Sequence, residues 1–205
     1  GGVRFIPGDE RYHCDRAVTY EAGLAVLDAL DEYCHDLIEF TGQSVSEVNP
    51  TPGNKAGGIT TLAEKAMGTV KLHGHVPLYG VLQTGDHVPH PGGWFLDERH
   101  GANDMYSTTA CAMTGAHVMF LTTGRGTPHG NAVMPVIKVT GNPETARRLE
   151  EFIDYSCGDI LSAKKTPQQC GQELFELLVE VCNGKEIKAE ENGDWSYGIP
   201  PAGRF

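Results

Sequence analysis

The sequence predicts an α/β fold, a three-layer arrangement with a mainly parallel sheet flanked by helices, and three observations predict it. Residues 117–122 and 133–139 are apolar runs of strand length without polar alternation, as expected of parallel strands covered on both faces. Residues 20–40 and 166–182 carry apolar side chains at helical spacing. Strands alternating with helices in this way build a layered domain on a parallel sheet. The 205 residues, 40% of them hydrophobic, suffice for a packed core. One domain over residues 1–205 is expected, with the tail 184–205 packing on it.

The elements follow in order. Val3-Arg4-Phe5-Ile6 is strand-like and closed by Pro7-Gly8. In residues 20–40, Leu24, Leu27, Leu30, Leu37 and Ile38 mark the stripe expected to face the core. Residues 43–58, with three Gly, two Pro and two Asn, read as a loop. Thr61-Leu62-Ala63-Glu64 has the capping-box pattern and opens a short helix expected to end at Gly68. Residues 76–83 read as a strand whose Pro77 sits at a sheet edge. A long loop of 84–103 holds four Gly, two Pro and three His, and loops of that length are often functional. Asp104 caps a helix to about Thr114, and 143–152 is helical. Thr166-Pro167 opens a helix to Cys182, closed by Gly184. Trp195 and Tyr197 are expected to cover an apolar surface, and Cys111 and His117 to lie in the core. The sum is a Rossmann/flavodoxin-like architecture.

Composition excludes several classes. The formal net charge of -11 opposes binding to nucleic acid or to an anionic membrane surface. No apolar run approaches the roughly 20 residues that cross a bilayer. Six cysteines without a Cys-x-x-Cys pair suggest reduced thiols in a cytoplasmic protein, four or five of them buried as small hydrophobes. The start Gly1-Gly2-Val3 suggests a boundary inside a longer protein.

Two segments carry candidate chemistry. The first is residues 49–58, Asn-Pro-Thr-Pro-Gly-Asn-Lys-Ala-Gly-Gly, leading into a helix. Its glycines let backbone N–H groups approach a ligand, and Lys55, if desolvated, could act as a base. The same residues would serve as a tight turn with an exposed lysine. The second is residues 122–130 at the carboxyl end of a strand, where ligands bind in open α/β sheets. Gly124-x-Gly126 is not a dinucleotide loop, because Pro128 and a second strand follow where a helix must open, and no Walker lysine is present. What remains is an anion pocket in which Arg125 could grip a carboxylate bidentately, with His129 beside it. The alternative is a glycine turn with a surface arginine. His73-x-His75, with His87, His90 and His100, could bind a divalent metal or be solvated loop residues. Helix capping is the simple role for Asp104, Asp154 and Glu64.

Residues 49–58 followed by Glu64-Lys65-Ala66, then Thr122-Thr123-Gly124-Arg125-Gly126-Thr127-Pro128, then Asp154 and Cys157-Gly158-Asp159-Ile160-Leu161, resemble the altronate and galactarate dehydratase family. Pro135-Val136-Ile137-Lys138-Val139 and Arg16-Ala17-Val18 are similar too, so the resemblance runs from about Arg16 to Gly184 in the family's order.

It implies the carboxy-terminal portion of a hydro-lyase that removes water from a sugar acid to give a 2-keto-3-deoxy acid. Ferrous iron is the usual metal, its ligands unknown in this chain. The similar sulfolactate sulfo-lyases eliminate sulfite instead, and a non-catalytic substrate-binding or assembly domain is the reading from another class. The family's central Cys-Gly-Gly-Ser-Asp motif is absent. The implied partners are therefore a sugar acid and the missing amino-terminal and central region or a partner subunit, with a homo-oligomer as a further option. An isolated chain is expected to have little activity.

Departures are the short segment 7–11, the long loop 84–103 with Trp94, which could set a different substrate, and His129, where relatives carry an aromatic residue. Asp104 and Thr109 match the family's spacing. In the implied chemistry Lys55 is the base, and His129 is a second base or the leaving-group acid. Arg125 with the amides around Gly124 and Gly126 holds the carboxylate. Asn54, Thr122, Thr123, Asp104 and Thr109 complete the substrate contacts.

Overall fold

A computed structural model describes residues 8–72, 74–98 and 104–199, with the side chains of residues 69, 71 and 72 excepted. The strand-like run at 3–6, His73 and His100 lie outside the described residues. The chain divides into two compact units, residues 1–102 with 113–115 and 200–205, and residues 103–112 with 116–199.

The first unit is built around one long helix. After α1 (Glu10–Cys14), α2 (Tyr20–Thr41) starts where the Thr19 hydroxyl accepts the Ala22 N–H at 3.1 Å, and it stops where Gly42 turns left-handed at φ 69°. Its buried face is Ala22, Val26, Ala29 and Leu30, and Val26, Ala29 and Leu30 pack with Leu78 and Phe95. Leu24, Leu27 and Ile38 are exposed, so the stripe expected from leucine positions is mostly the outer face. Ala29 takes part in that core beside Val26 and Leu30, a contribution that counting large side chains overlooks.

Residues 43–58 are not a plain loop. They contain α3 (Val45–Val48) and α4 (Pro52–Ala56), each opened by a reciprocal cap, Ser44 with Glu47 and Thr51 with Asn54. α5 (Leu62–Leu72) runs through Gly68. Glu64 takes its N–H to the Thr61 hydroxyl but turns its carboxylate to the amide and hydroxyl of Thr60. Those two bonds, the amide first, draw its carboxyl below the ordinary range. The long loop holds a strand: β1 (Leu78–Gln83) pairs in parallel with β2 (Gly93–Asp97), and Ala17 bridges to Leu78. A Cβ on Gly93 would lie 2.6 Å from the Pro77 carbonyl, so the absent side chain permits the pairing.

The second unit carries a three-stranded parallel sheet in the order β3 (Met119–Thr122), β4 (Val136–Thr140), β5 (Tyr155–Ser156). The α/β class and parallel pairing expected from the sequence are thus present, with the described strands distributed over two small sheets. β4 is central and buried along its whole length, whereas β3 is an edge strand with Phe120 exposed. An apolar run alone does not distinguish the two.

The α6 helix (Asp104–Met113) precedes β3, and α7 (Pro143–Arg148), shorter than expected, lies between β4 and β5. A 3-10 turn (Gly158–Ile160), α8 (Pro167–Cys182) and α9 (Lys188–Glu191) follow. α8 opens on a Thr166–Gln169 capping box, and Val181 packs with Ile137, Val139, Ile187 and Ala189. Trp195, Tyr197 and His117 are exposed rather than covering or entering the core, and Gly198 instead makes the tail's contact, donating to the Thr109 hydroxyl at 3.0 Å. All six cysteines are free thiols, but only Cys111 and Cys170 are fully buried.

Lys138 stands in the middle of β4 at 1% exposure. Its ammonium lies 4.0 Å from Asp154 Oδ2 and makes no hydrogen bond among the described residues. Asp154 is not a helix-end residue in isolation: Oδ2 accepts the Lys138 N–H at 2.7 Å and Oδ1 the Lys188 N–H at 2.8 Å, stitching β4 to α9. Removing one member of a buried pair strands the other, so Asp154→Ala is expected to destabilise by about 3–5 kcal/mol in denaturant unfolding, with Lys138→Met recovering part of that loss.

Burial lowers the Lys138 pKa, opposed by the carboxylates of Asp154, Asp194 and Glu190. The unfolded chain therefore binds more protons between the folded value and the ordinary 10.5, so this group's contribution to stability rises with pH across that window. Lys138→Met should flatten the rise.

Candidate functional site

The carboxyl ends of β3, β4 and β5 share one edge of the sheet in the second unit, where parallel strands present their ligand-binding loops. The chain leaves β3 through Thr122, which is exposed, and Thr123, whose N–H donates to the Val139 carbonyl at 3.0 Å. Gly124 and Arg125 are exposed, and Gly126 is left-handed at φ 79°. A Cβ at Gly126 would lie 2.5 Å from Leu149 Cδ1 and 3.1 Å from Thr145 Cγ2, so only glycine allows the loop to rest on α7. None of the amides of Gly124, Arg125 and Gly126 donates to an acceptor among the described residues. Three successive uncommitted N–H groups beside a guanidinium suit a carboxylate.

His129 is held by its own loop. Its Nδ1 lies 3.0 Å from the Thr127 hydroxyl, and its Nε2 is buried with no hydrogen-bond partner among the described residues. Burial works to raise the nearby Asp194 carboxyl, but hydrogen bonds from Ser196 and Gly130 and the charge of His129 bring it below the ordinary range. On α6, Asp104 is exposed at the first turn, while the Thr109 hydroxyl donates to the Met105 carbonyl at 2.9 Å and accepts from Gly198. Thr109 is therefore engaged in holding the tail.

In the first unit the candidate residues lie on α4. Asn54 Oδ1 accepts from the Thr51 amide at 3.1 Å, the Thr51 hydroxyl at 2.9 Å and Lys65 Nζ at 2.9 Å. Lys65 also reaches Asn49 Oδ1 at 2.7 Å. Asn54 thus caps its own helix, and Lys65, quoted in the sequence only as part of a motif, ties α5 to that turn. Lys55 is exposed, so the first unit by itself does not desolvate it.

Thr122, Thr123, Gly124, Arg125, Gly126 and His129 share one loop, with Asp104 and Thr109 in the same unit, whereas Asn54 and Lys55 belong to the other unit. Thr145 carries no sequence signal, and the motifs that contain Lys138 and Asp154 do not reveal that the two side chains meet. A lysine within an apolar strand run is plain in the sequence, but the burial of its ammonium with Asp154 as its ion-pair partner and no hydrogen bond among the described residues is not.

Among the described residues no group of three or more His, Cys, Asp or Glu side chains converges to hold a metal ion. His75, His87 and His90 are exposed, and His90 sits against Tyr79 and Trp94 with ring centroids 4.7 and 5.0 Å away. No helix among the described residues is long and apolar enough to cross a membrane.

The family described as D-galactarate/Altronate dehydratase, C-terminal, matches residues 4–203. Altronate dehydratase of Escherichia coli (strain K12) is 36% identical over 182 residues, covering 88% of this chain and 34% of that protein. The (2R)-sulfolactate sulfo-lyase subunit beta of Chromohalobacter salexigens is 36% identical over 164 residues, or 80% of this chain and 42% of the relative. Galactarate dehydratase (L-threo-forming) of Escherichia coli (strain K12) is 33% identical over 171 residues, 83% of this chain and 32% of the relative. The chain thus spans between about a third and two fifths of the length of these relatives.

Proposed function

The chain belongs to the D-galactarate/altronate dehydratase family as its C-terminal part, and from that membership we propose that it supplies the carboxylate-gripping portion of a sugar-acid hydro-lyase. The observation that carries the reading is the loop after β3, with Arg125 exposed beside the uncommitted amides of residues 124–126. Dehydration of a 2,3-dihydroxy acid removes the proton beside the carboxylate and expels the 3-hydroxyl. Negative charge then grows on the carboxylate oxygens, where fixed donors stabilise it most.

In this reading Arg125 and the three amides hold those oxygens. Thr122, Thr123 and the Asn54 amide group bind hydroxyls, and Asp104 contributes from the start of α6. Lys55 takes the proton, and His129, fixed by Thr127, is a second base or gives a proton to the departing hydroxyl. Ferrous iron, the metal the resemblance implies, finds no ligand set among the described residues, so no step runs through it.

Because the relatives extend well beyond the matched region, the remaining residues of the active site are assigned to the rest of the same polypeptide or to a partner subunit. Six free thiols suit a reducing cytoplasm. The 36% identity to a sulfo-lyase subunit supports a second reading, in which sulfite leaves in place of hydroxide.

The test is turnover of altronate, galactarate and (2R)-sulfolactate by the complete enzyme and by this chain alone. Turnover of one acid by the complete enzyme, with little by the chain alone, is expected. Appreciable turnover by the chain alone contradicts the divided site, and turnover of none by the complete enzyme removes the lyase reading in favour of a binding or assembly domain.

A further inference from the structure

Arg125 is carried by a loop whose peptide planes are set from outside it. The Thr145 side chain, at 4% exposure on α7, donates its hydroxyl to the Gly124 carbonyl at 2.8 Å. In a trans peptide the C=O and the following N–H point in opposite directions. Pinning the Gly124 oxygen onto α7 therefore turns the Arg125 N–H away from α7. Gly126 seals the arrangement, since its missing side chain admits Leu149 and the Thr145 methyl.

Thr145 is itself fixed through Asn142, the residue that caps α7. The Asn142 side chain accepts the amides of Glu144 at 3.0 Å and Thr145 at 3.3 Å, and the Asn142 amide donates to the Thr140 hydroxyl at 3.2 Å at the end of β4. A run of hydrogen bonds thus leads from the buried central strand to the plane of the Gly124–Arg125 peptide.

We infer that Thr145 is a positioning residue which orients the Arg125 amide as a donor to the reacting carboxylate. The inference rests on the carboxylate-binding reading of this loop. A donor held in place before reaction stabilises the charge that develops in the transition state without reorganising, whereas a free loop would have to order itself at that moment. The effect therefore belongs in kcat more than in KM.

The test compares Thr145→Val, which keeps the methyl packed against Gly126 but loses the hydroxyl, with Thr145→Ser, which keeps the hydroxyl. Both are assayed in the complete enzyme with whichever of altronate, galactarate or (2R)-sulfolactate it turns over, and Arg125→Ala is measured alongside. Thr145→Val is expected to lower kcat about tenfold with KM within about twofold, and Thr145→Ser to restore kcat to within about twofold of the parent. A purely structural role would lower the melting temperature without that rescue. Normal kcat in Thr145→Val with an impaired Arg125→Ala overturns the positioning role and leaves the loop reading standing. Normal rates in both, or turnover of none of the three acids, overturn the loop reading and the positioning role together.

Discussion

Arg125→Ala in the complete enzyme is expected to lower kcat/KM at least about 100-fold, the range for losing a preorganised donor to a developing oxyanion. The guanidinium is exposed and rests on a loop already fixed by Gly126, Thr145 and the β3–β4 pairing, so its removal leaves the fold intact. The loss is therefore chemical. Arg125→Lys should recover only part of it, because an ammonium cannot reproduce the two parallel N–H donors that match a carboxylate. A melting temperature equal to the parent's, with the rate lost, is the expected pair of measurements.

Lys55→Ala should cost about 100-fold or more in kcat, as removal of a general base does. Two lysines lie near the α4 turn, but Lys65 is held by Asn49 and Asn54, while Lys55 is exposed on α4. Lys55→Arg distinguishes base from charge, since guanidinium keeps the charge and does not deprotonate in proteins. Both variants should be equally impaired, and the alanine variant should regain activity with added small primary amines. A near-normal arginine variant would assign Lys55 to charge alone.

The α/β class, the long α2 and α8 helices and the Arg125 loop were legible because each leaves a local signature: helical period, Thr-Pro caps, and glycines at the end of an apolar run. β2 was missed because Gly92-Gly93 and three histidines hide a five-residue strand whose formation depends on pairing with β1. The buried face of α2 departs from the leucine stripe because Val26 and Ala29 join Leu30 against Leu78 and Phe95, while Leu24 and Leu27 face outward. Thr145 and Asp154 act across 21 and 16 residues of sequence, on Gly124 and Lys138 respectively, a separation no local pattern encodes. The candidate ligand-binding groups were therefore readable as residue types, while what holds them in place was not.

Calorimetric titration of the complete enzyme carrying Lys55→Ala, which binds the sugar acid without consuming it, performed with and without Arg125→Ala, tests the central claim most directly. The claim predicts saturable binding by the Lys55→Ala form and a dissociation constant about tenfold weaker once Arg125→Ala is added, the ground-state share of a charge-assisted contact that strengthens in the transition state. Equal dissociation constants for the two forms would contradict it.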